Sequence, residues 1–181
     1  MRVFRRQEIK TENIQVGDQI IIPLDAFGKF TVTAQKVTDR GIMFMFDDYV
    51  ARRPMNSSNT NKGGFEESEL KKWMDTVLFM AFPDELRDKI YGLTLPSVGQ
   101  IVGSESTITL ESDTDEQLPL MKGCKNRVAS FEDHLAWGWL KNAVKEAYSL
   151  TDFALVDIYG GVEYCDAAYL FGVRPVFWVV K

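Results

Sequence analysis

Over Lys29 to Val37, Phe30, Val32 and Ala34 fall on one side of the chain and Thr31, Thr33 and Gln35 on the other. That two-residue period predicts a half-buried strand. Gln19 to Ile22 is a shorter apolar run stopped by Pro23, which suits a strand end because it cannot donate to a ladder. Gly41 opens Ile42-Met43-Phe44-Met45-Phe46, and an unbroken run of this kind predicts a strand covered on both faces. Arg52 to Gly64 is rich in Asn, Ser, Thr and Gly, with no apolar residue between Met55 and Phe65. It reads as an exposed loop.

From Phe65 the period becomes helical. Leu70, Trp73, Met74, Val77, Leu78 and Ala81 recur at intervals of three and four, with Glu66, Glu67, Glu69, Lys71 and Lys72 opposite, which predicts a helix over 66–80. Pro83 suits the first turn of a second helix, with Asp84 and Glu85 favoured by the helix dipole. Leu86 and Ile90 would face inward and Gly92 would end it. Residues 93–129 are mixed, with a candidate strand at Thr107 to Leu110 and an acidic, turn-rich stretch to Gly123. Ser130 and Asp133 have the spacing of a capping pair, and Leu135, Leu140, Ala143, Val144 and Ala147 would continue a third helix. Phe153 to Tyr159, a turn at Gly160-Gly161 and Val162 to Tyr164 predict a hairpin. Val176 to Val180 predicts a closing strand. No repeat or low-complexity linker divides the chain, so residues 1–181 read as one α+β domain.

Ser68, Leu70 and Trp73, followed by Phe79, Phe82, Glu85 and Ile90, resemble the Ser-x-Leu-Arg/Lys-x-Trp-Leu helix of the bacterial and phage family called domain of unknown function 6273. Trp137, Trp139, Leu140, Lys141 and Asn142 resemble its Trp-Leu-Arg-Ser segment, with Lys for Arg and Asn for Ser. Gly172-Val173-Arg174-Pro175-Val176 resembles its terminal Gly-Val-Arg-Pro-Ala. The resemblance spans roughly residues 17–180. The family is similar to C-type-lectin-like domains, which implies a mixed, mostly antiparallel sheet flanked by two or three helices. It also implies a strand over Trp137 to Leu140, against the helix that local capping predicts there.

Composition narrows the function classes. The chain is 45% hydrophobic and 26% charged, with 12 Phe, 6 Tyr and 4 Trp, enough to fill a core and to exclude global disorder. No apolar run approaches the ~20 residues of a membrane span. A net charge of −5 argues against direct nucleic-acid binding. Two cysteines and one histidine leave little for a thiolate or imidazole metal site, and no cofactor is expected. Met1 to Lys10 has cations but no apolar core after them, so no secretory signal is read and a cytoplasmic setting is expected. A mature secreted protein would read the same. Cys124 and Cys165 suit either free thiols or one disulfide.

Arg174, held extended by Pro175, reads as a structural bolt on an internal carboxylate, with a ligand clamp as the other reading. Trp73 and Trp178 lie on apolar stripes and read as core. Trp137 and Trp139 flank Gly138 and, with Arg52, Arg53 and the 52–64 loop, are candidate ligand-binding residues for a glycan. Glu111, Asp113 and Asp115 alternate as in the start of a calcium loop, but Glu116 and Lys122 stand where Gly and Glu are needed. No Lys or Arg occurs between Lys89 and Lys122. Glu105, Glu111, Asp113, Asp115 and Glu116 therefore read as a docking segment for a protein with a basic surface. His134 is the only imidazole, and no nucleophile elbow, P-loop or dinucleotide glycine pattern occurs. The expectation is a non-catalytic binding module for a protein partner, such as an inhibitor of a basic, nucleic-acid-binding defence enzyme. A glycan-binding adhesin is the alternative, and an enzyme using His134 a third.

Overall fold

The computed structural model describes residues 13–103, 110 and 113–181. The first half contains β1 (Gln19–Leu24), β2 (Gly28–Val37), β3 (Gly41–Phe46) and β4 (Ala51–Arg53). It continues with α1 (Glu69–Trp73), a π turn (Met74–Leu78), α2 (Phe79–Ala81), α3 (Asp84–Arg87), β5 (Ile90–Thr94) and α4 (Val98–Val102). After two short 3-10 turns come β6 (Ala129–Phe131), β7 (His134–Ala136) and β8 (Gly138–Ala143). Then follow β9 (Asp152–Val156), β10 (Val162–Asp166), β11 (Phe171–Val173) and β12 (Val176–Val180). Among the described residues the strands form two five-stranded sheets, β1-β2-β3-β12-β5 and β10-β9-β8-β11-β4, and the hairpin β6-β7. Among the described residues only the β8–β11 contact is parallel. The protein is thus mostly β, antiparallel, with few helices. One sheet flanked by helices was expected; two sheets share the cores instead.

The apolar run of β3 lies between two cores, as a strand covered on both faces requires. Ile42, Phe44 and Phe46 pack with Phe177 and Val179 of β12, and with Leu70, Met74, Leu78 and Phe82 from the helical segment. Met43 and Met45 point the other way, to Val98, Ile101, Leu140, Ala154 and Val176. Alternation also splits β9: Phe153 and Leu155 join the first core, Ala154 and Val156 the second. Each large side chain so buried contributes about 1.5–3 kcal/mol. At the open edge, β1 carries Pro23, a residue that discourages further pairing.

The helix begins three residues later than expected. Ser68 is its N-cap, and the hydroxyl oxygen accepts from Lys71 N at 3.0 Å while its proton goes to Phe65 O at 2.7 Å. The π turn inserts one extra residue per turn locally. A spacing of four then keeps Leu70, Met74, Leu78 and Phe82 buried, and Val77, expected inward, is exposed.

Three expectations are corrected. α3 is short and capped at Pro83, and Ile90 and Gly92 belong to β5, which pairs with β12 (Val179↔Ile90, Trp178↔Tyr91). Sheet pairing there outweighs local helical periodicity. The predicted helix from Ser130 is replaced by β6, β7 and β8. Glu132 and Asp133 have φ of 50° and 64°, the left-handed pair of a tight hairpin turn. The Ser130 backbone is engaged by Asp48 and Tyr49. Trp137 to Leu140 is therefore extended, as the family resemblance implied. Finally, the 52–64 loop is not loosely exposed, because Asn56 and Asn61 are buried. Asn61 Nδ2 donates to the carbonyls of Val144, Ser149 and Asp152 at 2.9–3.2 Å, so amides do the anchoring that apolar residues do elsewhere. The candidate strand at Thr107 to Leu110 lies outside the described residues except for Leu110, which bridges to Val144.

Candidate functional site

Of the residues that carry the family resemblance, Arg174 and Gly172 belong to the scaffold. Arg174 is buried, and its guanidinium donates to backbone carbonyls: Nε to Phe46 O at 2.7 Å, Nη1 to Asn126 O at 3.0 Å and Arg127 O at 3.1 Å. Its partners are backbone carbonyls and not the carboxylate expected. Burial pushes the Arg174 pKa down, while Tyr49, Asp47 and Asp48 favour its charged form. Tyr49 lies across Gly138 and Gly172, which face each other in the parallel β8–β11 contact. A Cβ on Gly172 would meet Tyr49 Cγ at 2.3 Å, and one on Gly138 would meet Tyr49 Cε1 at 2.2 Å. The Tyr49 hydroxyl donates to Ala136 O at 3.2 Å, and burial pushes its pKa up to about 12.

The tryptophans divide differently from the expectation. Trp139 is 1% exposed and its indole N–H donates to Arg53 O at 2.9 Å; it is the core tryptophan and offers no face to a ligand. Trp73 is only partly buried, edge-on to Phe27 with the Arg53 guanidinium 4.7 Å from its ring centre. Arg53 is thereby engaged within the molecule. Trp178 is also partly buried and stacks on Tyr91.

The acidic segment is less available than its sequence suggests. Glu105 and Glu111 lie outside the described residues. The Asp113 carboxylate accepts from Gly99 N at 2.6 Å, Asn142 Nδ2 at 3.1 Å and Asp115 N at 3.0 Å, fixing the segment against α4. A Cβ on Gly99 would meet Asp115 O at 2.5 Å, so the glycine permits this approach. Asp115 pairs with Lys141 at 3.1 Å, a cation supplied by β8 where the local sequence has none. Glu116 is exposed. Burial pushes the Asp115 pKa up, but hydrogen bonds from Ser97 and Lys141 and the charges of Lys141 and Lys36 outweigh it, for a net lowering. A carboxyl whose folded pKa is depressed stabilises the fold above its unfolded pKa, and that contribution is lost as pH falls through the folded value. Lys141→Met is therefore expected to cost about 0.5 kcal/mol at neutral pH. The difference in urea midpoint should vanish once the carboxyl is protonated; a loss that persists in acid would show that packing, not the ion pair, is responsible.

His134 is exposed on β7 with Nδ1 2.7 Å from Glu132 O. Cys124 and Cys165 are both free. Burial, the larger influence, and the nearby Asp166 and Asp152 charges raise the Cys165 pKa, which disfavours the nucleophilic thiolate. Among the described residues no group of three or more His, Cys, Asp or Glu gathers as a metal site. No helix among them is long and apolar enough to cross a membrane.

A different surface brings the remaining candidates together. Trp137, 39% exposed, stacks on Phe171 with ring centres 5.9 Å apart and planes at 23°. Phe171 in turn stacks on Tyr169, 57% exposed, at 6.2 Å and 16°. Trp139 closes edge-on beneath Phe171 at 4.9 Å. Arg52, exposed, donates from Nη2 to Leu170 O at 3.0 Å. The 52–64 loop is tied to the same turn, with Asn59 Oδ1 accepting from Ala168 N at 3.2 Å. Of the expected ligand residues, Arg52 and Trp137 share this surface; Tyr169, Leu170 and Phe171 were missed. Their signal was the alternation Tyr169-x-Phe171 directly before Gly172.

Fold and site together define a β-rich domain whose signature residues lock the scaffold and whose exposed chemistry is an aromatic surface. The sequence model of the family described as Domain of unknown function (DUF6273) matches residues 40–181, well over half of the chain. The chain belongs to that family. No curated protein and no solved structure matches it.

Proposed function

We propose that the protein is a non-catalytic binding module that engages a protein partner through the surface of Trp137, Tyr169, Leu170 and Arg52. The observation that carries this reading is the Trp137–Phe171–Tyr169 row, whose two outer rings are exposed. Rings that already hold one another lose little freedom on binding, and Trp, Tyr and Arg are the residues that dominate protein interfaces. Leu170, 55% exposed, adds apolar area. The inward bonds of Asp113 and Asp115 move the main contact away from the acidic segment, leaving Glu116 as a rim charge. A C-type-lectin-like architecture belongs to this reading, supported by the closing strand β12 after Gly172 to Pro175. A cytoplasmic role, such as inhibition of a basic defence enzyme, fits the two free thiols.

The glycan alternative rests on Trp137 and the Asn- and Ser-rich loop tied to Ala168. Affinity capture from a lysate of the producing cell separates the readings. Wild type should retain a protein that Trp137→Ala/Tyr169→Ala loses and that Asp115→Asn/Glu116→Gln keeps. Retention by the aromatic variant and loss by the acidic one would restore the acidic segment as the site. Elution by a neutral oligosaccharide would favour the glycan reading.

A further inference from the structure

The turn that presents Tyr169 also presents a carboxylate pair. Asp166 stands opposite Asp152 across the β9–β10 ladder, and Asp166 O accepts from Tyr169 N at 3.2 Å. Thr151 Oγ1 donates to Asp152 Oδ1 at 2.8 Å. Hydrogen bonds from Thr151, the largest influence, and from Asn59 outweigh burial and hold the Asp166 pKa below its usual value. Among the described residues no salt bridge reaches either carboxylate. Two carboxylates facing each other across a ladder place their negative charge side by side, and a cation arriving from outside meets complementary charge there.

We propose that this surface takes a lysine- or arginine-rich segment of a protein, one cation against the Tyr169 and Trp137 rings and the next between Asp152 and Asp166. The inference rests on the binding-module reading and names the chemistry of its partner. Ring faces are electronegative and attract guanidinium and ammonium groups, and the molecule uses the same chemistry internally where Arg53 covers Trp73. Arg52, bonded to the Leu170 carbonyl, marks the edge at which the partner's basic run ends. A net charge of −5 steers a basic partner inward from a distance.

The test titrates hexa-arginine into the full chain, with hexaglutamate and cellohexaose as the other arms, followed by calorimetry. Hexa-arginine should bind wild type, and Tyr169→Leu and Asp152→Asn/Asp166→Asn should each weaken it about tenfold. Asp115→Asn should leave it within about twofold, since that carboxylate is already paired with Lys141. Tyr169→Leu keeps the apolar bulk and removes only the ring; unchanged melting curves show that the variants fold. Equal binding by wild type and the Tyr169 and Asp152/Asp166 variants would overturn the proposal, as would binding of cellohexaose in place of the peptide. If hexa-arginine does not bind there while lysate capture still depends on Trp137 and Tyr169, the basic-partner inference falls and the module reading stands. If capture is also independent of those residues, both fall.

Discussion

Arg174→Met should lower folding stability by about 3–5 kcal/mol, the range for breaking up a buried charge arrangement from one side. The side chain is buried and serves Phe46 O, Asn126 O and Arg127 O at once, joining the end of β3 to the segment before β6. Methionine replaces the stem but leaves three carbonyls short of donors, each costing about 1–3 kcal/mol when buried without a partner. Arg174→Lys should recover little of the loss, because a single ammonium cannot reach carbonyls in two directions as a guanidinium fork does. Urea unfolding of both variants gives the answer. A Lys variant as stable as wild type would show that charge alone matters and that the fork geometry does not.

Gly172→Ala should cost about 3 kcal/mol, at the upper end for overpacking a core. The added methyl would sit 2.3 Å from Tyr49 Cγ and 2.4 Å from Cδ1. The ring has no free direction, being 4% exposed, bonded at its hydroxyl to Ala136 O and pressed on Gly138 as well. Residues in contact do not add, so Tyr49→Ala/Gly172→Ala should be more stable than the two single losses predict, with a coupling of about 1–3 kcal/mol. Strict additivity in chemical denaturation would place the cost in the Gly172 backbone and not in the ring.

The strands were legible where burial left a one-dimensional trace. β2 alternates, β3 is apolar throughout and β12 is found at the residues predicted, Val176 to Val180. β5 and α4 were missed. The signal for α4 was present in Ser97 and Gln100, which form a reciprocal capping box. For β5 there was little to read, because Gly92 with φ of 62° looks like a helix stop until β12 lies beside it. The candidate site was half legible: Arg52 and Trp137 were named, but Trp139 was grouped with them although its ring is 1% exposed and lies in the core. Nothing local distinguishes the two indoles. Trp139 lies within β8 against Phe153 and Phe171, whereas Trp137 precedes that strand and stays at the surface.

What the sequence by itself determined is the placement of β1, β2, β3, β9, β10 and β12, the existence of the first helix, and the membership of a family. Those features follow from periodicities and capping patterns that act over a few residues, and they leave the same imprint in any context. What only the tertiary structure decided is the fate of the charges and rings. Asp115 meets Lys141 from 26 residues away, Arg174 reaches a carbonyl 128 residues back, and Tyr169 lines up with Trp137 through Phe171. A carboxylate run carries no mark of whether a distant strand will supply its cation, because electrostatic and ring contacts depend on distance in space, and the chain sets that distance only once it has folded.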